Sequence, residues 1–237
     1  MNIFAAAQPH DRSTAARPHD AFAAARRHMV DGQVRTADVT DLRILAAMSE
    51  IPRERFLPQA LAGLAYLDLD VPVSATRRLL KPIVFAKLVQ ALDLSGEERV
   101  LDVGAVGGYG AAVLARLAGH VVALEEDASL AASTQAALAD APNVTAAGGP
   151  LAAGWPQGAP YDAIVVAAAG PRVPDALRRQ LAVGGRLVMP VGDEHGAQRL
   201  VRVVRDDADR FRETDLGGVM FVPLVGEQGW RADSNGA

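Results

Sequence analysis

The stretch that decides the fold is Arg99–Glu125, with the sequence RVLDVGAVGGYGAAVLARLAGHVVALE. Its first apolar run, Val100–Val103, predicts a strand that is buried on both faces. A glycine-rich turn at 104–108 follows, then a helical pattern from Tyr109 to Leu117 and a second apolar run, His120–Leu124. The order strand, turn, helix, strand predicts one unit of a parallel α/β sheet.

Several features of this unit indicate a nucleoside-binding crevice. Gly104 and Gly108 would let the backbone approach a ligand, and Glu125 stands about 20 residues after the turn, where its carboxylate can accept hydrogen bonds from ribose hydroxyls. A dinucleotide fingerprint needs glycine at the third position of the turn, where this chain has Val106, so a dinucleotide oxidoreductase is disfavoured. Asp102 lies inside the first strand, the position of the acid in S-adenosylmethionine-dependent methyltransferases. The turn alone leaves open a solvated Glu125 and an Asp102 that only caps the turn.

Composition sets the outer bounds. The chain has 237 residues, half of them hydrophobic, enough for one large α/β domain with a small appendage. The net charge of −4 favours no nucleic-acid partner, and no apolar run is long enough to span a membrane. The chain has no cysteine and opens without a signal-peptide pattern, so we expect a cytoplasmic protein. Its histidines are too scattered to predict a metal site.

The chain divides by pattern into four parts. Residues 1–20 lack periodicity and are predicted to be a mobile arm. Residues 21–92 are predicted to form a helical cap with a substrate-side loop, and residues 93–230 the α/β domain. Residues 231–237 are predicted to be a disordered tail.

The predicted cap consists of short helices and no sheet. One helix is predicted over 21–34, with an inner face of Phe22, Ala25, His28 and Met29. A second is predicted over Leu42–Met48, after caps in 38–41, with an inner face of Leu42, Leu45 and Met48. Asp68–Val73 is predicted to be extended.

A cationic loop joins the cap to the next helix. Arg77, Arg78 and Lys81 place three cations in five residues just before Pro82, which suits the start of a helix over Ile83–Leu92. These cations could bind an anion at the helix start, and the alternative is an exposed loop with solvated charges.

The rest of the chain continues the alternation of helices and strands. Helices are predicted over Ala128–Ala139, capped by Asp127, and over Pro174–Leu181. Gly184 and Gly185 are predicted to turn into a strand. Strands are predicted over Asn143–Ala146, Tyr161–Ala167, Arg186–Val191, Gln198–Arg205, Phe211–Thr214 and Val219–Leu224. The pattern is typical of a doubly wound sheet.

A family resemblance covers roughly Met29 to Trp230. It is carried, in order, by MVDGQV, RILAAMSEIPRERFLP, AYLD, RVLDVGAVGGYGAAVLARLAG, GWPQGAPYDAIVVAAA, ALRRQLAVGGRLVMPVG and VMFVPL. Together these segments resemble protein-L-isoaspartate O-methyltransferases. The resemblance implies a Rossmann-like methyltransferase fold with seven strands, S-adenosylmethionine as methyl donor, and isoaspartyl residues of damaged proteins or peptides as substrate.

The resemblance also implies site residues. The cofactor side is expected to comprise Asp102, Gly104, Gly108, Tyr109, Glu125 and Gly149. The substrate side is expected to be the loop that holds Arg77, Arg78, Leu80 and Lys81.

The chain departs from the family pattern at several site positions. Val106 stands at the middle glycine of the turn, where we expect a β-branched side chain to crowd the cofactor or to forbid a positive φ. Leu80 stands where the family has a substrate-contacting serine, and Arg78 where it has a threonine. Pro150 replaces the aspartate that approaches the adenine, and Ala167 begins an Ala-Ala-Ala run in place of Thr-Ala-Ala.

Two functions remain open from the sequence. In the first, the chain is an active methyltransferase in which Arg77, Arg78 and Lys81 meet the substrate carboxylate in place of the serine. In the second, it is a non-catalytic relative that keeps the fold as a binding or scaffold protein.

Overall fold

The computed structural model describes residues 18–192 and 197–219. Within these residues, the helices are α1 (Pro18–Met29), α2 (Leu42–Glu50), α3 (Pro82–Leu92), α4 (Tyr109–Leu114), α5 (Ala128–Ala137) and α6 (Asp175–Arg179). The strands are β1 (Val71–Pro72), β2 (Arg78–Leu79), β3 (Arg99–Val103), β4 (His120–Glu125), β5 (Val144–Gly148), β6 (Tyr161–Val166), β7 (Leu181–Gly192), β8 (Gln198–Arg205) and β9 (Phe211–Val219).

A seven-stranded sheet organises the molecule, in the order β5-β4-β3-β6-β7-β8-β9. The first five strands in this order, β5, β4, β3, β6 and β7, are parallel to one another. Strand β8 is antiparallel to β7, and β9 is antiparallel to β8. The predicted doubly wound, Rossmann-like fold is therefore confirmed. The chain leaves β3 for β4 on one side and later returns to β6 on the other, which creates a topological switch point between β3 and β6.

The helices begin where the sequence provides caps. Asp41 accepts a hydrogen bond from the Arg43 N–H (2.8 Å) at the start of α2, and Pro82 occupies the first turn of α3. Asp127 accepts from two N–H groups at the start of α5, as predicted. These caps satisfy donors that have no partner inside the helices.

The sheet has a core on each face. One core joins α1 and α2 to α3 and α4 and includes Met48, Leu88 and Val113. The other packs against the opposite face around Leu151 and Leu177. The cap is thus attached to one face of the sheet by continuous apolar packing, which fixes its position against the sheet.

The cap differs from the prediction in four respects. Helix α1 begins at Pro18 and ends at Met29, where the backbone changes to a π turn, and His28 is exposed rather than on an inner face. In α2, Leu42 is 70% exposed because, at about 100° per residue, it lies away from the buried face around Ile44 and Met48. Only β1 of the predicted extended segment is a strand. It pairs with β2, so the cap does contain a small sheet.

Three differences concern the α/β part. Gly184 and Gly185 lie within the long strand β7, beside a register shift against β6, rather than in a turn before it. Helices α4, α5 and α6 are shorter than predicted, and β9 is continuous from Phe211 to Val219. The predicted strand end at 220–224, the tail at 231–237 and residues 1–17 of the arm lie outside the described residues. No helix in the described ranges is long and apolar enough to cross a membrane.

Candidate active site

The candidate site is a cavity at the carboxyl ends of β3 and β6, at the topological switch point. Asp102 and Gly104 line it from β3, and Ala167 lines it from the end of β6. The cavity spans about 310 Å³ of space between protein atoms, part of which is open to solvent. Its remaining lining residues are Arg53, Arg78, Leu79, Leu80, Phe85, Ala105, Val106, Tyr109 and Gly110. Ligands of open α/β sheets bind at this kind of position, outside the carboxyl ends of the strands.

Asp102 is a buried carboxyl with one oxygen that no described residue pairs with. Its Oδ2 atom forms no hydrogen bond with the described part of the chain, and the residue is only 3% exposed. Burial raises the pKa of Asp102 to about 7, and the charge of Glu125 adds to the rise. A buried acid with a raised pKa and an unsatisfied oxygen indicates a site that is built for a ligand rather than for stability.

Arg53 and Tyr109 bring two more unsatisfied polar atoms to the same cavity. The Nη1 atom of Arg53 and the hydroxyl of Tyr109 are buried and form no well-formed hydrogen bond with the described residues. The two side chains do act on each other: burial raises the pKa of the Tyr109 phenol, and the neighbouring Arg53 opposes that rise. The guanidinium lies over the Tyr109 ring, with 4.7 Å between its carbon and the ring centroid. The rings of Phe56 and Phe85 hold Tyr109, at centroid distances of 5.7 and 5.4 Å.

Glu125 is fully buried at the end of β4, beside the crevice, and is paired with Arg77. Arg77 Nε donates to Glu125 Oε1 at 3.1 Å, and its Nη2 donates to Glu126 Oε2 at 3.1 Å. The Glu125 carboxylate also accepts from the backbone N–H groups of Val106, Glu126 and Asp127. The predicted ribose acceptor is therefore oriented by the backbone and carries a cation from the substrate-side loop.

Val106 determines the shape of the crevice. Its φ is +34°. The expectation that valine forbids a positive φ at this position is therefore wrong, although such a conformation costs on the order of 1–3 kcal/mol. The side chain lines the 310 Å³ cavity, a neighbouring one of about 270 Å³ beside Arg77 and Leu151, and a third of about 620 Å³ beside Phe56. The Val106 side chain therefore borders three neighbouring cavities.

The three glycines of the turn have different roles. Gly104, at φ +87°, faces the cavity, and a Cβ there would meet Leu151 and Ala167 only at ordinary contact distance. A Cβ on Gly107 would lie 2.7 Å from the Phe56 carbonyl oxygen, so this glycine lets the cap approach the turn. Gly108 packs against Leu138, just after α5, and does not line the cavity. Of the two turn glycines that were predicted to bind the cofactor, only Gly104 faces the candidate site.

The substrate-side loop separates into residues that reach the cavity and residues that do not. Arg78 is exposed and lines the 310 Å³ cavity, and Leu80 is buried in its wall. Lys81 does not line it, and its backbone N–H donates to Asp70 Oδ1 at 2.8 Å. With Arg77 held by Glu125, Arg78 is the cation of this loop that is placed to meet an incoming anion.

Gly149 and Pro150 follow β5, next to Glu125. The Gly149 N–H donates to the Glu125 carbonyl oxygen at 3.1 Å, and Pro150 is exposed. This places the loop near the predicted ribose acceptor, but neither residue lines the cavity beside Asp102.

The structure thus brings Asp102, Gly104, Tyr109, Arg78 and Leu80 to one cavity, with Glu125 and Arg77 next to it. Sequence reasoning missed Arg53. It stands in PRERF, where three successive charged residues look equivalent, and only the fold shows that this one is 1% exposed.

Comparison with known proteins decides the family. The family model described as protein-L-isoaspartate(D-aspartate) O-methyltransferase matches residues 24–229. The chain belongs to this family. Protein-L-isoaspartate O-methyltransferase 1 of Rhodopseudomonas palustris (strain HaA2) is 49% identical over 204 residues, which cover 85% of this chain and 83% of that protein. A protein-L-isoaspartate O-methyltransferase of Protochlamydia amoebophila is 40% identical over 209 residues, covering 87% of this chain and 100% of its own.

Solved structures of the protein-L-isoaspartate O-methyltransferase family share the fold. One protein-L-isoaspartate O-methyltransferase has a TM-score of 0.73 and 25% identity, over 86% of this chain and 67% of its own. A second structure, from Plasmodium falciparum and described as a protein-L-isoaspartate O-methyltransferase in complex with S-adenosyl-L-homocysteine, has a TM-score of 0.72 and 18% identity, over 84% of this chain and 98% of its own. At that identity the second structure supports the fold alone.

Proposed function

We propose that this chain transfers a methyl group from S-adenosylmethionine to the carboxylate of isoaspartyl residues in damaged proteins. Membership of the family supports this, as do the relatives of 40–49% identity that carry the same name. The observation that carries the proposal is the buried Asp102, whose Oδ2 atom has no hydrogen-bond partner among the described residues, in a cavity at the switch point of the sheet.

The residues of the cavity fit such a donor. S-adenosylmethionine supplies a methyl group on a positively charged sulfonium. Burial raises the pKa of Asp102 to about 7, and a nearby positive charge would stabilise its carboxylate form. Gly104 leaves room beside it, and Glu125 presents a carboxylate that backbone N–H groups already orient.

The remaining residues would position the acceptor and exclude water. A carboxylate is already ionised at neutral pH, so the reaction needs no strong general base. The rate therefore depends on holding the acceptor in line with the methyl group and on keeping water out of the cavity. Leu80, Phe85 and Ala167 provide apolar walls for this purpose.

We assign the orientation of the incoming carboxylate to Arg78. Leu80 has no hydrogen-bond donor in its side chain, so it cannot replace the serine of the family pattern. Arg78, two residues earlier, is exposed at the cavity and offers a planar guanidinium that suits a carboxylate. Isoaspartyl proteins as partners and a cytoplasmic location stay predictions, and we propose both as part of this function.

Calorimetric titration with S-adenosylmethionine and S-adenosylhomocysteine tests the proposal. We expect micromolar dissociation constants, followed by methyl transfer to an isoaspartyl peptide and none to the same peptide with a normal aspartyl bond. Absence of binding at millimolar ligand would contradict the proposal and return the chain to the alternative of a non-catalytic relative. The 40–49% identity to named methyltransferases does not favour that alternative.

A further inference from the structure

Arg53 is a buried cation that has no anionic partner in the described part of the chain. It is 1% exposed, and no acid among the described residues forms an ion pair with it. Asp70, whose charge acts on it at longer range, accepts a hydrogen bond from the Lys81 backbone instead. Burial lowers the pKa of Arg53, but an arginine side chain stays protonated in proteins. A buried charge of this kind is normally paired.

The geometry of Arg53 leaves one guanidinium nitrogen, Nη1, for a ligand. Its Nε donates to the Ala65 carbonyl oxygen at 2.7 Å, and its Nη2 donates to the Leu80 carbonyl oxygen. These two bonds fix the guanidinium between the cap and the substrate-side loop. The Nη1 atom has no hydrogen-bond partner among the described residues, and Arg53 is one of the residues that line the 310 Å³ cavity.

Tyr109 supplies a second donor in the same cavity. Burial raises the pKa of the phenol, so the hydroxyl stays neutral and can donate a hydrogen bond. Asp102, the buried acid of the cavity, does not neutralise Arg53, because the pKa of Asp102 is raised by burial rather than lowered by an ion pair. Among the described residues, the cavity therefore contains a cation and a hydroxyl that no acid pairs with.

We propose that Arg53 Nη1 and the Tyr109 hydroxyl bind a carboxylate in this cavity. This inference rests on the proposed function, in which two carboxylates enter the site: the α-carboxylate of the methyl donor and the carboxylate that accepts the methyl group. Both present the same chemistry to Arg53, and binding measurements separate them.

The experiment compares three ligands on four proteins. The proteins are the wild type, Tyr109→Phe, Arg53→Lys and the control Arg55→Lys, which makes the same change at an exposed arginine two residues away. The ligands are S-adenosylhomocysteine, methylthioadenosine, which has the nucleoside but no carboxylate, and an isoaspartyl peptide. Thermal melting establishes whether each variant is folded. If Arg53→Lys does not fold, Tyr109→Phe still tests the proposal, because it keeps the ring contacts and removes only the hydroxyl.

Each arm has a defined outcome. If the donor's carboxylate is bound, Tyr109→Phe and Arg53→Lys weaken S-adenosylhomocysteine roughly tenfold, the effect of one lost charge-assisted hydrogen bond, and leave methylthioadenosine unchanged. If the acceptor's carboxylate is bound, both nucleoside ligands bind as in the wild type and the KM of the peptide rises roughly tenfold. Either result supports the inference.

Two results would overturn it. One is a folded Tyr109→Phe variant with wild-type values for all three ligands. The other is a loss of affinity that is equal for S-adenosylhomocysteine and methylthioadenosine, which would give Arg53 a purely structural role. Failure of the proposed function is distinguishable, because in that case the wild type itself binds neither nucleoside.

Discussion

Arg77 Nε lies 3.1 Å from Glu125 Oε1, so the carboxylate predicted to receive ribose hydroxyls already has a cationic partner from the same chain. Both side chains are almost completely buried, and a second acid, Glu126, holds the other end of the guanidinium. A nucleoside that uses Glu125 must therefore compete with Arg77 or share the carboxylate with it.

Replacing Arg77 by glutamine separates competition from sharing. We expect Arg77→Gln to bind S-adenosylhomocysteine roughly fivefold or more tightly in calorimetry, because Glu125 no longer loses an ion pair on binding. The variant should also lose on the order of 3 kcal/mol of unfolding free energy in urea, since a buried carboxylate loses its cation. Arg116→Gln, which removes the exposed ion pair with Glu50, is the matched control. Weaker binding by Arg77→Gln would mean that Arg77 helps to hold the ligand.

Val106 provides a test of crowding in the crevice. We expect Val106→Gly to raise the affinity for S-adenosylhomocysteine at least fivefold, because it removes a side chain that borders three cavities and relieves the positive φ. Val106→Ala removes two methyl groups and keeps the strained Cβ, so it should show only the effect of space. Equal dissociation constants for the glycine variant and the wild type would rule out crowding.

Asp102 predicts a pH-dependent stability. A carboxyl with a raised folded-state pKa gives full stability below its unfolded pKa of about 3.9 and loses it as the pH rises through about 7. Between pH 5 and pH 8, the wild type should therefore lose about 2–3 kcal/mol relative to Asp102→Asn. Urea unfolding of both proteins at each pH measures this difference, and taking the difference cancels the other titrating groups. A constant difference would show that Asp102 is not buried as an acid in solution.

Arg78 should affect the acceptor and not the donor. We expect Arg78→Gln to raise the KM of an isoaspartyl peptide roughly tenfold, because the exposed guanidinium no longer attracts the carboxylate. Arg78→Lys keeps the charge but lacks the planar guanidinium, so its KM for the peptide should lie between those of the wild type and Arg78→Gln. The dissociation constant of S-adenosylhomocysteine should stay within about twofold of the wild type, and a larger change would place Arg78 on the donor side.

The sequence predicted the sheet well because its strands are long apolar runs with clear boundaries. Gln198–Arg205 has the predicted limits, and the first unit around the glycine turn has the predicted order. The cap was predicted less well, because its short elements depend on packing against the sheet. The exposed Leu42 shows this: an apolar residue at a plausible spacing lies outside because the helix turns another face inward.

The site was predicted in part for a related reason. Asp102 and Gly104 lie in the segment whose local pattern is strong, and the structure places both at the cavity. The pairing of Arg77 with Glu125 and the burial of Arg53 depend on contacts between residues 48 and 27 positions apart in the chain. A pattern within one segment cannot reveal such contacts.

The close approach of Gly107 to the Phe56 carbonyl oxygen has a consequence for engineering. The cap cannot be exchanged as an independent module, because the glycine turn has no space for a side chain at Gly107. A chimaera that takes residues 21–92 from a relative must therefore either take the relative's turn at positions 104–108 as well or keep Gly107. The cap and the glycine turn must therefore be exchanged together.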